Sequence, residues 1–169
     1  MFDVGDKAVY PAHGVGKIEA VETRMIMGEE MQVYVMRILD RNMTIFIPVN
    51  KSEDVGLRPV MKSAEVDKVF DVLRERRRVA DSQTWNRRFR EYSEKIRTGS
   101  ALGIAQVLRD LYLLRSGKPL SYGEKRMLNT AIDLLSQEIA VAQGKETGTA
   151  QQAIMDVFGD VDQSRGVEV

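Results

Sequence analysis

The densest group of chemically useful side chains lies between Arg74 and Arg97. Nine basic residues fall there (Arg74, Arg76, Arg77, Arg78, Arg87, Arg88, Arg90, Lys95 and Arg97) against four acids, Glu75, Asp81, Glu91 and Glu94. All but Lys95 are arginine, whose planar fork suits bidentate contact with phosphate. Arginine also grips sugar–phosphate in a minor groove better than a point-charge lysine does. The only Trp of the chain is embedded in this stretch, in Thr84-Trp85-Asn86-Arg87-Arg88-Phe89-Arg90-Glu91-Tyr92. A rigid indole flanked by guanidinium groups suits stacking on, or wedging against, an unpaired base. A competing reading exists: Trp85, Phe89, Tyr92 and Ile96 recur at helical spacing, as a core-facing stripe does. Arg87 and Arg88 fall off that stripe, which makes them the firmer candidates for phosphate contact.

Other chemistries find little support. The carboxylate pairs Glu29/Glu30 and Glu53/Asp54 sit in polar, turn-like stretches and read as solvated. His13-Gly14-Val15-Gly16 contains Gly-x-Gly but lacks the rest of a dinucleotide fingerprint, and a turn between strands accounts for it better. The chain has no Cys and a single His, which excludes disulfides, thiolate metal sites and multi-His sites. A binding protein is therefore expected rather than an enzyme, with no cofactor, no metal and no small-molecule substrate.

Charge is unevenly spread. The 169 residues carry 25 basic and 25 acidic side chains. Residues 1–57 hold six basic and nine acidic side chains, residues 58–145 hold 18 and 11, and residues 146–169 hold one and five. Screening confines a polyanion's view to the local field, so the middle segment presents a cationic face despite the neutral total. No apolar run approaches the length of a membrane helix, and the N-terminus lacks a secretory signal, so the expected location is the cytoplasm.

The elements that must position these residues change character near residue 60. The first third reads as short strands: residues 7–10 stopping at Pro11, residues 15–27, an alternating run over 31–39, and residues 43–48. Polar turns at Gly28-Glu29-Glu30 and Asp40-Arg41-Asn42 separate them, as in a small curled antiparallel sheet or barrel. Beyond residue 61 the period becomes helical. Ser63 is placed to cap a helix with the stripe Val66, Val69, Phe70 and Leu73. Thr84 caps a second helix ending at Gly99, a third spans 101–114, and Ser121-Tyr122-Gly123-Glu124 is a capping box opening a fourth to about residue 142. A short helix over 150–158 closes the set, and residues 159–169 read as a frayed tail. The fold class is α+β in two domains, 1–58 and 61–158.

At these residues the sequence resembles the CarD/CdnL family of bacterial transcription regulators, from about Val4 to Phe158. The resemblance rests on Gly5-Asp6-Lys7-Ala8-Val9-Tyr10-Pro11 with His13-Gly14, on Ile47-Pro48, and on Val55-Gly56-Leu57-Arg58. More specific still are Thr84-Trp85-Asn86-Arg87-Arg88, Val107-Leu108-Arg109-Asp110-Leu111-Tyr112 and Gly123-Glu124-Lys125-Arg126-Met127-Leu128. The family implies a Tudor-like N-terminal module that docks on the β1 lobe of the RNA polymerase β subunit, by strand addition along an exposed edge. It implies a helical domain that faces the upstream edge of the transcription bubble in promoter DNA and stabilises the open complex. On this chain the resemblance makes Trp85 a minor-groove wedge, with Arg87, Arg88, Arg90, Lys125 and Arg126 as backbone contacts. Polymerase contacts map to Arg24 and to the strand bearing Thr44, Phe46 and Pro48. Some members carry Arg where this chain has Phe46, which implies an apolar docking edge here, unless Phe46 is a barrel-core side chain. A monomer associated with the nucleoid through polymerase is expected. The alternative is an autonomous, weakly specific DNA-binding or architectural protein.

Overall fold

The computed structural model describes residues 1–76 and 85–165, except for the side chains of Trp85 and residues 163–165. The expected cap at Thr84, and Arg77, Arg78 and Asp81 of the cationic stretch, lie outside the described residues. The chain forms two compact units, Met1–Val60 and Met61–Val169.

The first unit is an open, barrel-like antiparallel sheet of Tudor-like type. Its strands are β1 (Lys7–Tyr10), β2 (Gly14–Ile26), β3 (Glu29–Ile38), β4 (Met43–Pro48) and β5 (Arg58–Pro59). They run in the order β4-β3-β2-β1-β5, which leaves β4 and β5 at the edges. The β2–β3 hairpin pairs Ile26 with Glu29, so its turn is Met27-Gly28, one residue earlier than the polar run indicated. Both turn residues have positive φ (52° and 83°), the combination whose twist matches paired strands. Gly16 explains part of the Gly-x-Gly run: a Cβ there would lie 2.8 Å from the Arg37 carbonyl oxygen of β3. Only glycine lets the two backbones approach so closely. A register shift between Ile18 and Ala20 bends β2 and deepens the curl of the sheet. The core inside that curl gathers Ala8, Ile18, Tyr34, Met36, Ile38, Ile47 and Leu57. Tyr34 also anchors the N-terminus, its hydroxyl accepting from the Phe2 N–H at 3.0 Å.

The second unit is helical: α1 (Ser63–Arg74), α2 (Trp85–Thr98), α3 (Ala101–Gly117), α4 (Tyr122–Gln143), α5 (Thr147–Val157) and α6 (Gly159–Arg165). Lys62 rather than Ser63 is the N-cap of α1, and the Glu65 carboxylate accepts from its N–H at 2.9 Å. The stripe of α1 packs as its spacing indicates, with Val66, Val69 and Leu73 buried and Phe70 against the core. Ser100 caps α3 through the Gly103 N–H. The capping box of α4 is complete: Ser121 N–H donates to Glu124, and Glu124 N–H donates to Ser121 Oγ. Gly144, at φ 63°, ends that helix in the left-handed conformation. Buried side chains of α1, α2, α3, α4 and α5 share one core.

The frayed tail expected from residue 159 is corrected over 159–165, where α6 is held down on one side. Phe158 is fully buried and stacks on Tyr112 with ring centroids 4.2 Å apart. Val161 is buried, and the Tyr112 hydroxyl donates to Asp162 at 2.8 Å. Arg76 grips Asp160 with Nε at 3.1 Å and Nη2 at 2.9 Å, and also donates to the Val157 carbonyl. Composition marked this segment as polar and acidic; the guanidinium that neutralises it lies 84 residues upstream of Asp160.

Candidate nucleic-acid interface and docking edge

Within the helical unit, the first turns of α2 and α4 are brought together. Arg88 and Glu124 form an ion pair at 3.5 Å, with side chains 6% and 8% exposed. The core-facing stripe of α2 is therefore Arg88, Tyr92 and Ile96, all buried, and Phe89 is turned partly to solvent. This corrects the expected stripe, which included Phe89, and it places Arg88, expected as a phosphate contact, inside the fold. Residues 88, 92 and 96 are separated by steps of four, so one helix face carries them all. The charge on Arg88 is tolerated there because Glu124 meets it.

Tyr92 lies in the same enclosure. Burial, reinforced by the Asp110 carboxylate, pushes its phenol up to about 12, while the Arg88 guanidinium acts in the opposite sense. Arg109 is also buried, donating to Glu75 at 2.6 Å and to Asp110 at 2.9 Å. The pair with Glu75 links the end of α1 to α3. The three most specific motifs of the helical unit thus each contribute at least one buried charged residue. Of the three, only Arg88 is expected from the sequence to meet phosphate, and Arg88, Arg109 and Glu124 are all buried.

What remains displayed is a compact set of cations. Arg87, Arg90, Lys125 and Arg126 are exposed. Arg87 meets Glu91 only at 3.9 Å, with its side chain 71% exposed, so that contact holds it weakly. Of the other cations in the Arg74–Arg97 stretch, Arg74 pairs with Asp71, Arg76 with Asp160, and Arg97 with Glu94. Much of that cationic run is thus spent within the fold. Trp85 opens α2, and its side chain, expected as a wedge or as part of the core, lies outside the described residues. Lys125 and Arg126 follow Glu124 directly, so the pair that buries Glu124 places two exposed cations beside the start of α2. The arrangement suits contact with a phosphate backbone.

The first unit carries a different surface. β4 alternates: Ile45 and Ile47 face the core, and Thr44, Phe46 and Pro48 face outward. Phe46 is 49% exposed, which corrects its reading as a barrel-core side chain. It pairs across with Val35 of β3. Arg24 of β2 lays its guanidinium over the Phe46 ring, 4.1 Å from the centroid, and pairs with Glu22 at 3.0 Å. The result is an amphipathic patch, an aromatic face roofed by a cation, beside an unpaired sheet edge. Nothing in the order of the residues indicates that Arg24 and Phe46 touch, because one intervening strand, β3, and 22 positions separate them. Among the described residues there is no group of His, Cys, Asp or Glu suited to hold a metal ion. Among them, too, no helix is long and apolar enough to cross a membrane.

The molecule is a small Tudor-like sheet unit followed by a charged helical unit, and comparison with known proteins gives the family. Residues 2–61 match the CarD-like/TRCF RID domain, and residues 68–155 match the CarD C-terminal domain. The chain is 36% identical over 146 residues to the putative transcription factor YdeB of Bacillus subtilis (strain 168), covering 85% of this chain and 94% of that protein. The chain belongs to the CarD/CdnL family of transcription regulators.

Proposed function

We propose that this protein docks on the β subunit of RNA polymerase, on its β1 lobe, through the β4 edge, and stabilises the promoter open complex with its helical unit. Thr44, Phe46 and Pro48, with Arg24 over the Phe46 ring, form the docking patch. Strand addition at β4 satisfies backbone groups while the alternate side chains set specificity. Trp85 acts as the wedge at the upstream bubble edge, and Arg87, Arg90, Lys125 and Arg126 hold the phosphate backbone. The observation that carries the reading is the juxtaposition of these four exposed cations about the first turns of α2 and α4. The protein acts as a cytoplasmic monomer brought to the nucleoid by polymerase, without catalysis of its own.

The energetics are simple. A factor that binds the open complex better than the closed one shifts the equilibrium by that difference alone. About 1.4 kcal/mol gives tenfold more open promoter. Tethering to polymerase raises the effective concentration at the bubble, so affinity for free DNA stays weak and salt-sensitive. The test is promoter opening by bacterial RNA polymerase holoenzyme, followed with a fluorophore near the upstream bubble edge. The wild type prolongs the open complex and Trp85→Ala does so less. Equal action by both makes Trp85 structural, and no action by either removes the polymerase reading. Tight duplex binding without polymerase in a gel shift at physiological salt supports an architectural protein instead.

A further inference from the structure

The Arg88–Glu124 pair has no solvent-facing task. Arg88 is 5% exposed and Glu124 6%, and their charged groups meet at 3.5 Å. The carboxylate is held from two directions. Its Oε1 accepts from the Ser121 N–H at 3.1 Å, closing the cap of α4, while Oε2 faces the Arg88 guanidinium of α2. One carboxylate therefore both caps the start of its own helix and reaches a side chain of the first turn of α2. Tyr92, one turn beyond Arg88, is buried as well, and burial raises its phenol while the Arg88 guanidinium acts to lower it. Burying two such charges is costly, and apolar residues of similar volume often serve stability as well or better. The positions next to the pair are the displayed ones: Arg87 and Arg90 on α2, Lys125 and Arg126 on α4.

We propose that Arg88 and Glu124 are positioning residues, a buried pair that sets the spacing between the Trp85–Arg90 turn and the Lys125–Arg126 turn so that both meet one nucleic-acid backbone. This rests on the reading of function above. In this role Arg88 never reaches phosphate, although it stands in the middle of the cationic motif.

The opposite role, a latent phosphate contact restrained by Glu124, makes the contrary prediction for one substitution. Glu124→Gln keeps an acceptor for the Ser121 N–H and raises the net charge by one. A latent Arg88 released from its partner would bind DNA more tightly. A positioning pair predicts instead that the open-complex lifetime with polymerase holoenzyme falls, roughly tenfold. A second readout needs neither polymerase nor DNA. Trp85 is the only Trp of the chain, so steady-state anisotropy of its fluorescence reports on the first turn of α2. The expected result is lower anisotropy in Glu124→Gln with helix content retained by circular dichroism. Unchanged anisotropy, tighter DNA binding, or lower anisotropy with an unchanged open-complex lifetime each overturns the proposal. If Glu124→Gln unfolds, Glu124→Asp serves: it keeps the charge, shortens the reach, and is expected to lower anisotropy and lifetime in the same direction. A wild type that fails to prolong the open complex defeats the functional reading, and the anisotropy still decides whether the pair holds α2.

Discussion

A phenylalanine stands half in solvent in one unit of this molecule, and an arginine is buried in the other. Phe46 is 49% exposed and Arg88 5%. Hydropathy alone would exchange them. In the sheet, the period of two decides the matter, because Ile45 and Ile47 claim the core and residue 46 must point away. In the helical unit, Tyr92 and Ile96 claim the core, residues three and four before Tyr92 both lie near that face, and Arg88 rather than Phe89 is the one that turns inward, where Glu124 meets it. Geometry assigns the face first, and side-chain chemistry then becomes either a displayed surface or an internal support. The sheet unit leaves its unusual residue displayed to solvent. The helical unit spends its unusual residue on holding others in place.

The largest expected effect tests whether burial of Arg88 is structural. Arg88→Met leaves Glu124 enclosed without its counter-charge, and loss of one partner of a buried pair costs about 3–5 kcal/mol. Urea unfolding followed by Trp85 fluorescence reads the helical unit selectively, since that unit holds the only Trp. Combining Arg88→Met with Glu124→Gln restores most of the loss, because neither residue then carries a buried charge. A double variant as unstable as the single one would mean that the two charges are not coupled.

The sheet unit is expected to respond in the opposite manner, with little change in stability and a large change in binding. Phe46→Asp places a charge at a half-exposed position, so the thermal midpoint stays near that of the wild type. Recruitment to RNA polymerase falls by about 2 kcal/mol or more, the scale of an aromatic hot spot, which is roughly thirtyfold. Co-sedimentation with polymerase measures it, and normal recruitment of the variant would remove the β4 docking model.

How much of this was legible follows from the same contrast. Strand alternation and turn residues locate β1 to β4 closely, and the capping box of α4 falls at Ser121–Glu124 as written. The two-unit α+β architecture is equally plain in the change of period near residue 60. The α2 stripe departs from the sequence pattern because Trp85, Phe89, Tyr92 and Ile96 give a better hydrophobic pattern than the Arg88, Tyr92 and Ile96 that are buried. The deciding fact is Glu124, 36 residues away in sequence, and no local pattern encodes it. The available signal was that Glu124 sits inside a capping box, where one oxygen is committed and the other is free to bridge. The tail was misread for a similar reason. Residues 159–165 look frayed until Arg76 and Tyr112, both distant, are placed against Asp160 and Asp162. Long-range ion pairs are the part of this fold that a linear reading misses.

The displayed cations sharpen the comparison at intermediate scale. Lys125→Gln with Arg126→Gln removes two phosphate contacts beside an intact Arg88–Glu124 pair. The slope of log affinity for duplex DNA against log salt falls by about 2, at roughly 0.9 per contact. Arg88→Met combined with Glu124→Gln leaves that count of contacts unchanged and is expected to lower affinity without a matching loss of slope. Equal slopes for wild type and the Lys125/Arg126 variant would remove those two residues from the interface.

A smaller effect concerns α6. Hydrogen bonding from Arg76 holds the Asp160 carboxyl below its usual value of 3.8. A carboxyl depressed in the folded state contributes stability that is complete above its unfolded value and is lost as pH falls through the folded one. Protection of the α6 amides from hydrogen exchange therefore persists at neutral pH and declines only below about pH 4. The group is exposed, so the change is confined to this helix and leaves the core of α1, α3 and α4 protected. Loss of α6 protection already between pH 5 and 7 would mean that the Arg76–Asp160 clamp does not hold it.

The smallest effect lies where the two strategies come nearest to each other, at Arg24. This arginine is displayed, as Phe46 is, yet like Arg88 it supports a neighbour. A cation over an exposed aromatic ring contributes about 0.5–1 kcal/mol, and the 3.0 Å pair with Glu22 competes for the same guanidinium. If Arg24 only steadies the ring, Arg24→Ala weakens recruitment to polymerase by no more than about fivefold, and by nothing further once Phe46 is Leu. If Arg24 also pairs with polymerase, its loss is felt in both backgrounds and grows at low salt. A double-mutant cycle over Arg24→Ala and Phe46→Leu, read at two salt concentrations, separates the two. The Arg24–Phe46 stack predicts coupling close to the whole Arg24 effect, because an edge built on an apolar ring uses its cation first to hold that ring flat against the strand.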